Sequence, residues 1–549
     1  MEYKRFRIPN RDVKLTENEA EITRTHTFQR LFYLKQLGLA YQVYPCATHT
    51  RAGHSIECLD EATKILESID IKEGDDSWAE VRMAALLHDI GHIPFSHTLE
   101  DENEVLPEHD KSDRIQRVLF KLQTEVKEQT RILIEKAKPI LLAISGKDER
   151  QQDWRSDLVG NTVCADLLAY ITTDAIWTGI EKRPGYYRIY DYFSRADKTV
   201  EGTTNKRLCI KLTKGGLRTD IVSAILDLLD MRYALTERVI FHHAKAMASA
   251  MLARASRLCN LQDETILLEM GDEKFLDYLE SKSNECKDLE NNSGTKLLLD
   301  KLRSRRLYKR IFKVQRQSRE EWDRNNSRSD DDSFCIRWRN GKIIEEMLSK
   351  IEKQFSLPRG ALVLWCPEGK SGMKLVRANV IWEQPGGWHK PVELRGPEIH
   401  KQFAGVFNRV DSIEKQYLDL WTFWVGIHPE YITAAPGVID ALTTELKIEC
   451  DPVFIETYAK PRYEGFKESA QLFENVEKTW RGELMPEVSR TIIDMAARPG
   501  SEVDSSVITE VIHTLSGQKR KSEKKDSKRA NSKQELLPGF EEHEGDSNK

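Results

Sequence analysis

Apolar side chains recur every three or four positions through the first half of the chain and beyond: in FQRLFYLKQLGLAYQVY (28–44), VRMAALLHDIGHI (81–93), DRIQRVLFKL (113–122) and the long run TDIVSAILDLLDMRYALTERVIFHHAKAMASAMLARASRL (219–258). That period marks one face of an α-helix, so residues 13–315 are expected to be all-helical. The polar stretch REEWDRNNSRSDDDS (319–333) breaks the pattern and predicts an exposed loop. Beyond it, GALVLWCP (360–367) and KLVRANVIWEQPGGW (374–388) are short β-rich runs closed by Pro and Gly, whereas GPEIHKQFAGVFNRVDSIEKQYLDLWTFWVG (396–426) returns to helical spacing. The expected organisation is mainly α: a helical domain over 1–315, an appended α+β lobe over 316–515, and a disordered charged tail over 516–549. The tail's basic block and acidic end carry too little apolar surface to fold alone.

Composition narrows the class. Of 549 residues, 39% are hydrophobic and 32% charged, and no apolar run approaches the roughly 18 residues needed to span a bilayer. The start, MEYKRFRIPNRD, is charged but leads into no apolar stretch or cleavage site, so a cytoplasmic protein without membrane attachment is expected. Nine cysteines lie scattered with no C-x-x-C pair, which argues against a zinc ribbon or redox couple. The net charge of −5 gives no global basic footprint, so nucleic-acid binding would need a local patch. Two basic segments qualify: KLRSRRLYKRIFKVQRQSR (301–319), whose plainest reading is a solvated helix, and the tail.

The candidate chemistry is concentrated in histidines. Six of the 14 (His49, His54, His88, His92, His97 and His109) fall between residues 49 and 109, far more than an even spread would place there. A single helical histidine is ordinarily a hydrogen-bonded core residue; the spacing here changes that. On a helix, adjacent His88 and Asp89 point about 100° apart and can offer an imidazole nitrogen and a carboxylate oxygen to one ion over the helix edge. A second imidazole would come from His54 in THTRAGHS, with Arg51 and His49 facing the same cavity. Imidazole and carboxylate without thiolate suit Mn, Fe, Ni, Mg or Zn.

The stretches FQRLFYLKQLGLAYQVYPCATHTRAGHS (28–55) and LLHDIGHIPFSH (86–97) resemble, in order and spacing, the N-terminal half of the HD-domain deoxynucleoside triphosphate triphosphohydrolases, a likeness covering about residues 13–315. The resemblance implies a divalent metal held by His54, His88, Asp89 and Asp166. It implies hydrolysis of a deoxynucleoside triphosphate to deoxynucleoside and triphosphate, and a homo-oligomer. It places Tyr170 and Asp174, one and two helical turns after Asp166, on the sugar, with Gln36 and Leu37 beside them and Leu37 filling the space of a 2′-hydroxyl. Arg51, Arg232 and His242 would face the phosphates. Leaving-group protonation falls to His92, His97 or His109, with Asp110 holding the His109 ring.

Three features depart from the family pattern. IPNRDVKL (8–15) replaces an early Asp-Pro-x-His-Gly turn, Ile240 stands where a base-packing Tyr is common, and Leu167 stands where a phosphate-binding Lys is often found. Restoring that Lys would, on this reading, lower the Michaelis constant. EGKSGMK (368–374) is not a P-loop, because Leu364 occupies the first glycine position. QELLPGF (534–540) has the spacing of sliding-clamp peptides, a pattern frequent by chance. Two alternatives stay open: an HD phosphohydrolase acting on another nucleotide phosphoester, and a nucleic-acid-binding HD protein using the basic segments.

Overall fold

The computed structural model describes residues 4–8, 11–146, 148–181, 185–327, 333–368 and 378–461. The chain packs as two units, residues 1–428 with 438–451, and residues 429–437 with 452–549. The first contains every candidate residue named above. In the second, the described residues form a 3-10 turn beginning at Pro429 and a short helical turn at Pro452–Phe454. Among the described residues no helix is long and apolar enough to cross a membrane.

The fold is mainly helical, with small β-sheets in the later part. At its centre lies α1 (Arg51–Ser68), which buries residues all round its circumference and so must be enclosed by other elements. Packed near it are α2 (Asp76–Leu87) and α3 (Ala165–Thr178), the latter ended by Gly179 in the left-handed conformation. Later come α4 (Thr219–Leu235), α5 (His243–Leu258), α6 (Asp272–Glu285) and α7 (Ala404–Asp419). Arg254 of α5, fully buried, is gripped by both oxygens of Glu352 at 2.5 and 2.9 Å, which ties α5 to the helix Gly341–Gln354.

The structure departs from the helical reading in four places. Phe193–Val200 and Thr203–Lys211 form an antiparallel hairpin through Glu201 and Gly202, both at positive φ, the two-residue turn whose twist matches its strands. WTFWVG does not continue α7: Thr422–Ile427 is the central strand of three, between Lys309–Gln315 and Leu362–Trp365. Its aromatic and β-branched residues, buried on both faces, favour that place. The expected loop after 319 begins as a helix, Arg316–Asn326, pinned by Trp322 Nε1 donating to the Leu446 carbonyl at 2.9 Å. The basic segment 301–319 holds a strand rather than a helix, and carboxylates answer its cations: Arg303 meets Asp277, Arg316 meets Glu320 and Asp419, and Lys313 meets Asp451.

One hydrophobic core runs from Ile8 to Val410, and Val380, Trp382 and Ile399 pack in the same cluster as Leu59 and Leu86. Asn379–Ile381 pairs parallel with Thr203–Lys211. Packing thus crosses the boundary expected at 315/316. Residues 516–549, the glycine-lysine-serine stretch and QELLPGF lie outside the described residues.

Candidate metal centre and cavity

Thr50 caps α1, its Oγ1 accepting the Gly53 N–H at 3.3 Å, and this sets Arg51 and His54 on the helix's first turn. The helix expected through LLHDIGHIPFSH stops at Leu87; His88 and Asp89 follow directly, and the rest is a chain of turns. Gly91 is required there because a Cβ would meet the His109 carbonyl oxygen at 2.5 Å. Phe95 and Ser96 both sit at positive φ (61° and 54°), which is strained for non-glycine residues. The turn is held from outside: Asp272 of α6, buried, accepts the Phe95 N–H through Oδ1 at 2.7 Å and the Lys35 N–H through Oδ2 at 2.9 Å. Gly38 lies beneath it, where a Cβ would reach the Phe95 oxygen at 2.7 Å.

His54, His88, Asp89 and Asp166 converge. His54 Nε2 stands 3.2 Å from His88 Nε2 and 3.1 Å from Asp166 Oδ1, His88 Nε2 is 3.4 Å from Asp89 Oδ1 and 3.7 Å from Asp166 Oδ1, and His54 Nε2 is 3.6 Å from Asp89 Oδ2. Ligand atoms sharing one ion at about 2.0–2.2 Å lie about 3–4 Å apart, so His54, His88 and Asp166 can hold a divalent metal, while Asp89 adjoins both histidines and also groups with His92 and His109. The donor chemistry agrees. His88 Nδ1 donates to the Ala85 carbonyl at 2.8 Å, which turns Nε2 toward the cluster. Burial opposes the charge on His88, but Asp89 raises its pKa well above the usual value. Against the same burial, His88 and Arg51 hold Asp89 well below the carboxylate range, and His54 and His88 do so for Asp166. Both carboxylates are therefore ionised, as ligation requires.

The three remaining histidines stack beside this cluster. His92 is fully buried, its Nε2 3.3 Å from Asp89 Oδ1, face to face with His109 (centroids 3.6 Å apart) and edge-on to His97 (4.8 Å). Burial first, then Arg51 and His109, drive its pKa well below the ordinary value and keep it neutral. His109 Nδ1 is 3.0 Å from Glu100 Oε2, and Glu100 outweighs burial to raise the pKa of His109. The carboxylate orienting His109 is thus that of Glu100, not of neighbouring Asp110. His97 Nδ1 lies 3.1 Å from Asp101 Oδ2. His97 and His109 open on the adjacent cavity; His92 does not line it.

That cavity, of about 290 Å³, brings together six of the seven residues expected to meet substrate: Gln36, Leu37, Arg51, Tyr170, Asp174 and Arg232, together with Asp89 and Asp166. His242 is elsewhere, capping α5 by accepting the Ala244 N–H at 3.2 Å. Arg51 is already engaged, with Asp89 Oδ2 at 2.5 Å, Ser96 Oγ at 3.0 Å and the Gln36 carbonyl at 3.2 Å. Asp174 Oδ1 is 2.7 Å from His49 Nε2. Leu167 is buried in the core rather than set on the cavity, whereas Ile240 lines the cavity from a π-helical turn, Thr236–Ile240.

The sequence reading missed the aromatic part of the lining. Phe241, Trp365 and Tyr417 line it, Phe241 edge-on to Trp365 at 5.3 Å and Tyr417 Oη 2.6 Å from Thr236 Oγ1. It also missed Glu100 and a buried lysine–glutamate pair, Lys245 with Glu102. Only Glu100 had a local signal, three residues after His97 in the same polar turn.

Residues 51–152 match the family model described as HD domain, and residues 210–335 match the one described as HD associated region. The chain is 29% identical over 315 residues to the uncharacterized protein MJ1154 of Methanocaldococcus jannaschii, covering 55% of this chain and 58% of that one. Over 81 residues it is 43% identical to the deoxynucleoside triphosphate triphosphohydrolase SAMHD1 homolog of Dictyostelium discoideum, covering 14% of this chain and 16% of that one. The chain thus spans little more than half of the first relative and a small part of the second. A phosphohydrolase structure from Bacteroides thetaiotaomicron superposes with a TM-score of 0.52 at 18% identity over 77% of this chain and all of that one, a likeness of fold.

Proposed function

We propose that this HD-domain chain is a metal-dependent phosphohydrolase that cleaves deoxynucleoside triphosphates to deoxynucleoside and triphosphate. The observation that carries the reading is the cluster of His54, His88 and Asp166 at 3.1–3.7 Å, with Asp89 against both histidines, beside a cavity that Asp89 and Asp166 line together with Tyr170, Asp174, Arg51 and Arg232. His54, His88, Asp89 and Asp166 would hold a divalent ion, which would supply Lewis acidity at the α-phosphoryl group and lower the pKa of water.

The rest is done by side chains. Tyr170 and Asp174, on one face of α3, take the sugar, and Leu37 fills the space a 2′-hydroxyl would need. Arg232 faces the phosphates as a planar donor. Water adds to the α-phosphorus, the bond from phosphorus to the 5′ oxygen breaks, and that oxygen takes a proton. His97 and His109 are the donors on the cavity, each with a carboxylate on Nδ1 that fixes its ring, whereas neutral, enclosed His92 supports them by stacking.

Incubation with a panel of deoxy- and ribonucleotides and Mn²⁺, followed by product separation, tests the reading. Inorganic triphosphate should appear in one step from deoxynucleotides. Phosphate or pyrophosphate as first product, or cleavage of monophosphates alone, would replace it with another HD phosphohydrolase activity.

A further inference from the structure

Hydrolysis at the α-phosphorus leaves two distal phosphates to be held, and beside Arg232 the expected cations do not provide for them. Leu167 is buried in the core, and Arg51 is committed to Asp89, Ser96 and the Gln36 carbonyl. We propose that Lys245 anchors the distal phosphates of the substrate, and that Glu102 holds its ammonium in place until the polyanion takes over; this rests on the reading of the cavity as a triphosphate site.

Lys245 is poorly explained as a structural residue. It is 3% exposed, where lysine is rarely found. It sits in the first turn of α5, a helix of 16 residues, so its charge lies at the positive end of the helix dipole, which opposes a cation and favours an anion. Its partner is Glu102, and Glu102 Oε2 is itself buried with no hydrogen-bond partner. A buried pair left half satisfied contributes little to stability. Both side chains line the cavity that holds Asp89 and Asp166. An entering polyphosphate would give the ammonium a better acceptor and meet the helix end with the sign it favours, while Glu102, in the loop that follows Asp101, turns away. Lysine suits the task as a compact charge with three donors that can follow oxygens of different phosphates.

Binding of inorganic triphosphate to the full chain, measured by calorimetry, tests this. Lys245→Met should weaken binding about 10- to 100-fold, the loss of one charge-assisted contact, and Lys245→Arg should restore part of it. Glu102→Gln should tighten binding, since the competing carboxylate is gone. With deoxynucleoside triphosphates, Lys245→Met should raise KM while kcat changes little. Triphosphate bound by Lys245→Met as tightly as by wild type overturns the proposal, as does a Glu102→Gln variant that weakens binding. If Lys245→Met does not fold, Glu102→Gln decides alone. The probe is not a nucleotide, so weakened binding in Lys245→Met alongside a wild type that turns over no nucleotide would remove the proposed reaction and keep the anion site; unchanged binding with intact turnover would do the reverse.

Discussion

The cavity has two walls of different origin. The wall with Asp89 and Asp166, which His54 and His88 adjoin, is polar, and these four proposed ligands sit at the start of one helix, just past the end of a second and in the first turn of a third. A second part of the lining, with Phe241, Trp365 and Tyr417, is aromatic and drawn from segments far apart in the chain. Chemistry admits few residue types at a metal, so the first wall must be spelled in recognisable letters. Shape admits many solutions of similar volume, so the second leaves no motif.

Breaking the metal wall should have the largest effect. His88→Ala or Asp89→Ala each removes a proposed inner ligand, and activity should fall by more than the roughly 10- to 100-fold typical of outer partners; elemental analysis should show metal lost while circular dichroism stays that of wild type. Wild-type metal content in both variants would dissolve the distinction between the walls. Next is the sugar side. Leu37→Ala opens space, and the preference for dATP over ATP should shrink about tenfold, the scale of small changes in an apolar pocket; competition assays with the two nucleotides read it directly.

A third substitution sharpens the comparison by going behind the metal wall. Leu167→Lys places an ammonium in the core, where an unpaired charge is costly. The expectation that it lowers the Michaelis constant is reversed: the melting temperature should fall with no gain in KM. The smallest effect belongs to the aromatic wall. Tyr417→Phe removes one hydrogen bond to Thr236, worth about 1 kcal/mol, and KM should rise only a few-fold, with kcat steady. A loss as large as that of Asp89→Ala would show that the aromatic wall does more than shape the site.

The same distinction explains what could be read from the sequence. His54, His88 and Asp89 announce themselves by spacing, and Asp166, Tyr170 and Asp174 by likeness to a known helix; the structure gathers all six. The partner of His109 was misplaced because Asp110 is adjacent in sequence, whereas Glu100 reaches the ring through a turn whose geometry no periodicity encodes. The strand Thr422–Ile427 read as helix because its apolar residues run unbroken, as they must when both faces are covered, and an unbroken run carries no period. Lys245 and Glu102 lie 143 positions apart, and neither gives a local hint of the other.

The clamp that Asp272 places on the Phe95 turn bears on modularity. The stretch matched as HD domain ends at residue 152, yet the carboxylate bracing its left-handed turn comes from the stretch matched as HD associated region. A segment cut at 152 and fused to another protein would carry the His-Asp pair and still lack its splint. Grafting this site onto a new scaffold, or exchanging it between chains by recombination, would have to move both pieces together.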